Sequence, residues 1–344
     1  MYQLLNTLYV MTPNAYVHLE NDTLRIEVDR EKKLQVPLHH IGSVVCFGDV
    51  MMSPGAMRRC AEDGRSVVLL DRNGRFKARV EGPVSGNILL RQAQFRVADD
   101  AQFALDVAKA IIAGKLRNAR QVLLRGAREA ANDPDKDKLS RAAESLAASI
   151  RNLPMAENLD TVRGLEGEAA RTYFSGINHM IRADARGAFT MDGRSRRPPR
   201  DRFNALLSFV YSMVMNDCRS ALESVGLDPQ LGFLHAVRPG RAALALDLME
   251  EFRAILADRL VLTLVNRGQI VEKDFLERPG GAVHMQDEAR KTVVVAYQER
   301  KQEEITHPLI DSKVPIGLLP NLQARFMART IRGEMEGYLP FLIK

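Results

Sequence analysis

Apolar and polar residues alternate along the first eighty positions of the chain. Beyond them the apolar residues recur at three- and four-residue intervals, so the periodicity changes once, from strand to helix. "AYVHLE-ND-TLRIEV" alternates on both sides of Asn21-Asp22 and predicts a hairpin. "RSVVLL-DRNG-RFKARVE" predicts a second, turning at Asn73-Gly74, and "KLQVPLHHIGSVVCFG" supplies further strand-like runs. Between them "SPGAMRRCAEDG" reads as one short helix, with Ser53 as N-cap, Pro54 at the first helical position and Gly64 at the stop. Residues 1–81 therefore read as a small, mainly β domain with one helix. "GPVSGN", residues 82–87, reads as the linker. Residues 88–344 read as a larger helical domain, from "NILLRQAQFRVADDAQFALDVAKAIIAGKLRNARQVLLRG" through "ALALDLMEEFRAILADRLVLTLVNRG". "KTVVVAYQER" is either an edge strand or another helix. The fold class is α+β and multidomain, with no repeat that would indicate a solenoid.

Composition narrows the function classes. A chain of 344 residues exceeds one comfortable core, which agrees with two domains. Hydrophobic residues are 46% and charged residues 27%, an ordinary globular balance, and no apolar run approaches the ~18 residues of a membrane span. The first twenty residues lack the features of a signal peptide, so the expectation is a cytoplasmic protein with no membrane partner. Cys46, Cys60 and Cys218 are too few and scattered for a disulfide framework or zinc cluster, and read as buried reduced thiols. The net charge of +6 permits a polyanionic partner without requiring one. "GRSRRPPRDR" places five arginines around Pro198-Pro199 in a stretch that cannot be helical. It is either a solvated linker or a phosphate-contacting loop.

No phosphate-binding loop, dinucleotide fingerprint, nucleophile elbow or paired-histidine zinc motif occurs. The candidates for chemistry are carboxylates and one histidine inside helical segments. Gly167 sits between Glu166 and Glu168 in "RGLEGEAARTYF", where glycine costs about 1 kcal/mol relative to alanine. Either two helices pack closely there, the reading given slight preference, or something other than protein approaches the backbone beside a carboxylate. In "GLDPQLGFLHAVRPGRAALALDLMEEFR", His235 lies where a turn meets apolar surroundings. Asp247 and Glu250, three apart, share a helix face from which Glu251 turns away. Each has an ordinary alternative: a core histidine, a solvated acidic face, and a Glu166 paired with Arg163 or Arg171.

Four blocks in order, "RGLEGEAARTYF", "RFNALLSFVYSM", "GLDPQLGFLH" and "LALDLMEEFR", resemble the signature blocks of the CRISPR-associated spacer-integration endonuclease, the first-numbered Cas protein of CRISPR adaptation. The resemblance covers essentially the whole chain, and the "YLPFLIK" ending is similar to subtype I-C members. It implies a divalent-metal site for Mg²⁺ or Mn²⁺. The family's "EG-x-A" glutamate falls on Glu166, its "G-x-x-H" histidine on His235, and its "D-x-x-[DE]" acid on Glu250. Asp247 matches an acidic neighbour that orients a ligand or metal-bound water, and Asn204 and Tyr211 match positions near the site. Glu168 has no fixed counterpart. Arg253 matches a basic family position, with phosphate contact and a salt bridge to Glu250 or Asp247 as its two readings. Arg238, Arg194, Arg196, Arg197 and Arg200 are the remaining candidates for DNA contact.

The implied activity is metal-dependent transesterification, in which the 3′-hydroxyl of a short DNA fragment attacks a phosphodiester at a CRISPR repeat boundary. The implied partners are double-stranded DNA (fragment and repeat), a second copy of the chain joined through the β domain, and the small ferredoxin-like second-numbered Cas protein. Some subtypes add a Cas-four-type end-trimming nuclease. The alternatives are a structure-specific metal nuclease of DNA repair or recombination and a non-catalytic DNA-binding scaffold.

Overall fold

The computed structural model describes residues 6–80, 82, 88–195 and 198–343. They fall into two compact units, Met1–Ser85 with Asp287–Glu299, and Gly86–Gln286 with Arg300–Lys344. Apart from Gly82, the expected linker at 82–87 lies outside the described residues.

The first unit contains β1 (Asn6–Val10), β2 (Tyr16–Glu20), β3 (Thr23–Val28), β4 (Glu31–Pro37), β5 (Ile41–Phe47), β6 (Met51–Met52), helix α1 (Pro54–Glu62), β7 (Ser66–Leu70) and β8 (Phe76–Val80). One sheet has the order β1-β5-β7-β8 and the other β4-β3-β2-β6. Both expected hairpins form. Asn21 and Asp22 take φ of 46° and 55°, the left-handed pair that matches strand twist. At the β7–β8 turn the Asp71 carboxylate accepts the amides of Asn73 and Arg75, and Gly74 takes φ 78°. The Ser53 hydroxyl accepts the Ala56 amide at 3.1 Å, capping α1 as its sequence indicates. Val17, Leu24, Ile41, Val44, Ala56, Cys60 and Val67 form the core, and burial pushes the Cys46 thiol up to about 12. All three cysteines are free and buried.

"KTVVVAYQER" is helical, within Asp287–Gln302. Residues 287–299 belong to the first unit, where the Gln298 side chain donates to the Thr7 carbonyl at 3.0 Å. Periodicity reports local structure, so it cannot show that a late helix rejoins an early core.

The second unit contains α2 (Ile88–Ala98), α3 (Ala101–Glu129), α4 (Asp133–Asn152), α5 (Leu159–Ile177), α6 (Ala183–Phe189), α7 (Arg202–Ser224), α8 (Ala243–Met249), α9 (Arg259–Asn266), the ribbon β9 (Phe275–Arg278)/β10 (Ala282–Met285), the end of α10 (Asp287–Gln302), the ribbon β11 (Glu304–His307)/β12 (Ser312–Pro315) and α11 (Leu319–Ile331). Side-chain caps start the long helices: Asp100, Asn132, Asn158 and Asp201 each accept backbone amides of the first turn. The segment that reads as one helix from Ala243 is interrupted after α8. Glu250–Phe252 form a turn, and Arg253–Asp258 a π-helical stretch that leads into α9. Such insertions re-aim side chains, and this one brings four ionisable groups of a nine-residue stretch into the interior: Glu250, Glu251, Arg253 and Asp258.

Two of these acids tie the unit together. Glu251 accepts the Tyr338 hydroxyl, the Phe341 amide at 2.7 Å and the Gln323 amide at 3.0 Å, fastening the C-terminal tail. Asp258 accepts the Tyr211 hydroxyl at 2.6 Å and the Tyr173 hydroxyl at 2.9 Å, joining α7 to α5. Burial pushes the Asp258 carboxyl up to about 6, and the two phenols, Arg253 and Arg194 offset this only in part. The folded state thus holds this proton more tightly than the unfolded chain, so the contribution is full below pH ~4 and is lost as pH rises through ~6. Relative to Asp258→Asn, the wild-type protein should lose stability between those limits by ~1–3 kcal/mol, measured as the difference in denaturant midpoints. A difference that stays flat with pH would contradict the assignment. Among the described residues, no helix is long and apolar enough to cross a membrane.

Candidate metal centre

The site is built around Asp247, which has no solvent exposure. Its Oδ2 accepts the amides of Phe233 at 2.7 Å and Leu234 at 3.0 Å. Its Oδ1 accepts the amide of His235 at 3.0 Å and the imidazole Nδ1–H at 2.6 Å. One buried carboxylate therefore folds the loop after α7 and fixes the ring of His235. With Nδ1 donating, Nε2 presents its lone pair and stands 3.9 Å from Glu250 Oε1. Gly232 makes this possible, because a Cβ there would lie 2.6 Å from Asp247 Oδ2 and 2.7–2.8 Å from backbone of the first turn of α8.

Helix α5 is clasped to the same loop. Arg163 donates from Nε at 2.9 Å and Nη2 at 2.7 Å to the Leu234 carbonyl, with Asp160 holding Nη1 at 2.9 Å. Glu166 follows one turn later on that helix. Its carboxylate touches the Lys115 ammonium from α3, which also lies 2.8 Å from Glu250 Oε2. Glu250 is 4% exposed, and Arg253 Nη2 holds its other oxygen at 2.9 Å. Burial alone would push the Glu250 carboxyl up. Arg253, then Lys115 and His235, outweigh it and hold the carboxyl down at about 2.

Among the described residues, no three acidic, histidine or cysteine side chains close on a single point. The reason is visible: one ammonium stands between Glu166 and Glu250. An ammonium gripped by two carboxylates beside an imidazole nitrogen occupies ground that suits a small cation. Glu250 Oε2 is buried, and the Lys115 ammonium 2.8 Å away stands where a cation bound to that oxygen would lie. Two carboxylates and one imidazole form the mixed oxygen and nitrogen set that Mg²⁺ and Mn²⁺ accept. The residues fit such an ion.

The other candidates divide. The Tyr211 ring lies under the Arg253 guanidinium, 4.5 Å from its centroid, so Arg253 is an inward salt-bridge partner of Glu250. Asn204 donates to the Gly193 carbonyl at 2.9 Å and holds Asp201 and Arg194, which shapes the start of α7. Arg194 turns inward over Tyr211, 5.2 Å from its centroid. Arg200 and Arg238 are exposed, and Arg196 and Arg197 lie outside the described residues. Arg163 takes Leu234 and Asp160 and leaves Glu166 to Lys115. The acidic pair Asp247 and Glu250 is buried, so the solvated-face alternative fails.

The packing alternative for Gly167 also fails, since a Cβ there would meet nothing within 4 Å. The space beside Glu166 is open. Gly167→Ala should therefore hold or raise thermal stability, by up to ~1 kcal/mol, while lowering activity on DNA several-fold. A destabilised variant would restore helix packing as the explanation.

Lys115, Arg163 and Gly232 are absent from the candidates that sequence supplies. Lys115 had a signal: it interrupts the apolar face of α3 between Ile111, Ile112 and Ala119, all buried. A lysine there needs a partner.

The chain matches a family model described as CRISPR associated protein Cas1 over residues 8–299. It is 57% identical over 344 residues to CRISPR-associated endonuclease Cas1 1 of Moorella thermoacetica, covering 100% of both chains. It is 50% identical over 338 residues to CRISPR-associated endonuclease Cas1 1 of Chlorobaculum tepidum, covering 98% of each. A CRISPR-associated exonuclease Cas4/endonuclease Cas1 fusion of Geobacter sulfurreducens is 35% identical over 98% of this chain and 60% of the fusion. Two solved structures share the fold. A casposase bound to integration product has a TM-score of 0.82 at 20% identity, covering 97% of this chain and 93% of that one. A chain of a Cas6-RT-Cas1--Cas2 complex has a TM-score of 0.81 at 24% identity, covering 99% of this chain and 37% of that one.

Proposed function

Because the chain belongs to the CRISPR-associated Cas1 family, we propose that it is a divalent-metal-dependent DNA endonuclease and integrase of CRISPR adaptation. It joins the 3′-hydroxyl ends of short DNA fragments into a repeat array. The observation that supports the metal-dependent reading is the cation-bearing cleft: Glu166 and Glu250 on one ammonium, with the fixed His235 imidazole alongside.

Glu166, His235 and Glu250 would hold Mg²⁺ or Mn²⁺. Bound there, the ion would polarise a phosphoryl oxygen and stabilise charge on the attacking or departing oxygen. The chain's own residues supply the rest. Asp247 keeps the His235 tautomer and ring direction. Arg253 neutralises the buried Glu250 from behind, and the open backbone at Gly167 leaves room beside Glu166. In the reaction the incoming 3′-hydroxyl gives up its proton to solvent as its oxygen forms a phosphorus–oxygen bond. The bond from phosphorus to the target strand's 3′-oxygen breaks, and that oxygen leaves with a proton from solvent, so the number of phosphodiesters is conserved. With water as nucleophile the same step is hydrolysis.

The exposed Arg200 and Arg238 are the candidates for phosphate contact from outside the cleft. The reading includes a homodimer through the β-rich unit and assembly with Cas2, a protein named in the solved complex that shares this fold. Relatives fused to Cas4 support a Cas4-type partner. The test is to incubate the protein with Mn²⁺, a free-ended fragment and a repeat-bearing plasmid, with and without the Cas2 partner. Joined products are expected. Cleavage alone would favour a structure-specific nuclease, and no reaction a DNA-binding scaffold.

A further inference from the structure

The place of Lys115 is the least ordinary feature of the cleft. It rises from the buried face of α3, its side chain is 15% exposed, and its ammonium has one carboxylate on each side. Glu250 already has Arg253 on its other oxygen, so it does not need Lys115 for neutrality. Glu166 and Glu250 do need something between them, because two carboxylates converging in a partly dry cleft repel strongly. On this geometry one lysine supplies what a shared cation would supply.

We propose that Lys115 is a built-in counter-ion, holding Glu166 and Glu250 together in the metal-free protein and yielding them when a divalent cation is loaded. The inference rests on the metal-site reading above. Loading is then an exchange rather than a simple addition, and part of the intrinsic affinity of the site is spent displacing the ammonium. The displaced side chain stays anchored on α3, still charged and partly exposed. With the carboxylates turned to the ion, a phosphodiester of bound DNA would offer the ammonium a new anionic partner. Lys115 thereby becomes a positioning residue for the substrate once its first role ends. The charges agree: with the ion in place, the cations at the cleft (the divalent ion, Lys115 and Arg253) exceed the carboxylates Glu166, Glu250 and Asp247 by one, and a phosphodiester carries that one negative charge.

The test measures Mn²⁺ binding to the full chain by calorimetric titration, without DNA. Lys115→Met removes the competitor, and Arg253 remains to neutralise Glu250, so folding is retained. The variant should bind Mn²⁺ about tenfold tighter than wild type. Lys115→Arg, which keeps the charge, should stay within about threefold of wild type. Thermal unfolding gives the second readout: in chelator Lys115→Met should melt below wild type, and on adding Mn²⁺ it should gain more. Equal or weaker Mn²⁺ binding by Lys115→Met, or an equal gain in melting temperature, overturns the counter-ion role while leaving the metal site intact. Absence of saturable Mn²⁺ binding in the wild type overturns the metal-site reading and this inference together.

Discussion

Replacing Glu166 by alanine should abolish DNA joining, a fall of a thousandfold or more, while leaving DNA affinity within about threefold of wild type. The size follows from the chemistry. A fall of this order corresponds to ~4 kcal/mol of transition-state stabilisation, within what a charge-stabilising ion contributes to phosphoryl transfer. Glu166 is one of the two carboxylates proposed to hold the ion, and it is 29% exposed, so its loss would remove a proposed ligand without opening the core. Folding should survive, because α5 keeps its Asn158 cap and the Arg163 clasp on the Leu234 carbonyl. Gel-based joining assays together with fragment-binding titrations check this. A variant that still joins DNA would mean that Glu166 is not a ligand, and one that loses DNA affinity equally would mean that it acts in binding.

The second large effect is expected at Asp247, which should matter for both activity and folding. Its two oxygens accept three backbone amides and the imidazole N–H, and the residue has no solvent exposure. Asp247→Ala leaves those donors buried and unpaired, which should cost ~3–5 kcal/mol of stability. Asp247→Asn is the more informative change. It conserves shape, but its amide nitrogen cannot accept from the loop amides. Released from a fixed tautomer, His235 should bind metal ~10–100-fold more weakly. Chemical denaturation of the alanine variant and Mn²⁺ titration of the asparagine variant are the measurements. Wild-type metal affinity in Asp247→Asn would show that the histidine needs no orienting partner.

The sequence displayed some of this directly. Alternation around Asn21-Asp22 and around Asn73-Gly74 marks real hairpins, because turn chemistry and strand pattern are both local. Ser53 and Pro54 mark a real helix start for the same reason. The π-helical stretch at Arg253–Asp258 was hidden, since the apolar spacing from Ala243 onward satisfies an uninterrupted helix equally well. The return of residues 287–299 to the first unit was hidden because it depends on contacts across nearly the whole chain.

At the site, the four ordered blocks pointed to Glu166, His235, Glu250 and Asp247, and the structure brings these four into one cleft. Spacing alone left each with an ordinary alternative, and burial removes several of them. Lys115 belongs to none of the blocks, so only its intrusion on an apolar helix face could have flagged it. Gly232 is a loop glycine like many others until the Asp247 carboxylate is placed against it. Gly167 shows the opposite error: a helical glycine between two glutamates suggests packing, yet the space above it is empty.

The central claim is that Glu166, His235 and Glu250 share one divalent ion. Crystals grown with Mn²⁺ and measured at its absorption edge test it most directly. The account predicts one anomalous peak within ~2.0–2.6 Å of a Glu166 oxygen, His235 Nε2 and a Glu250 oxygen, with the Lys115 ammonium moved off both carboxylates. A peak elsewhere, or none while Lys115 still bridges the two acids, would contradict it.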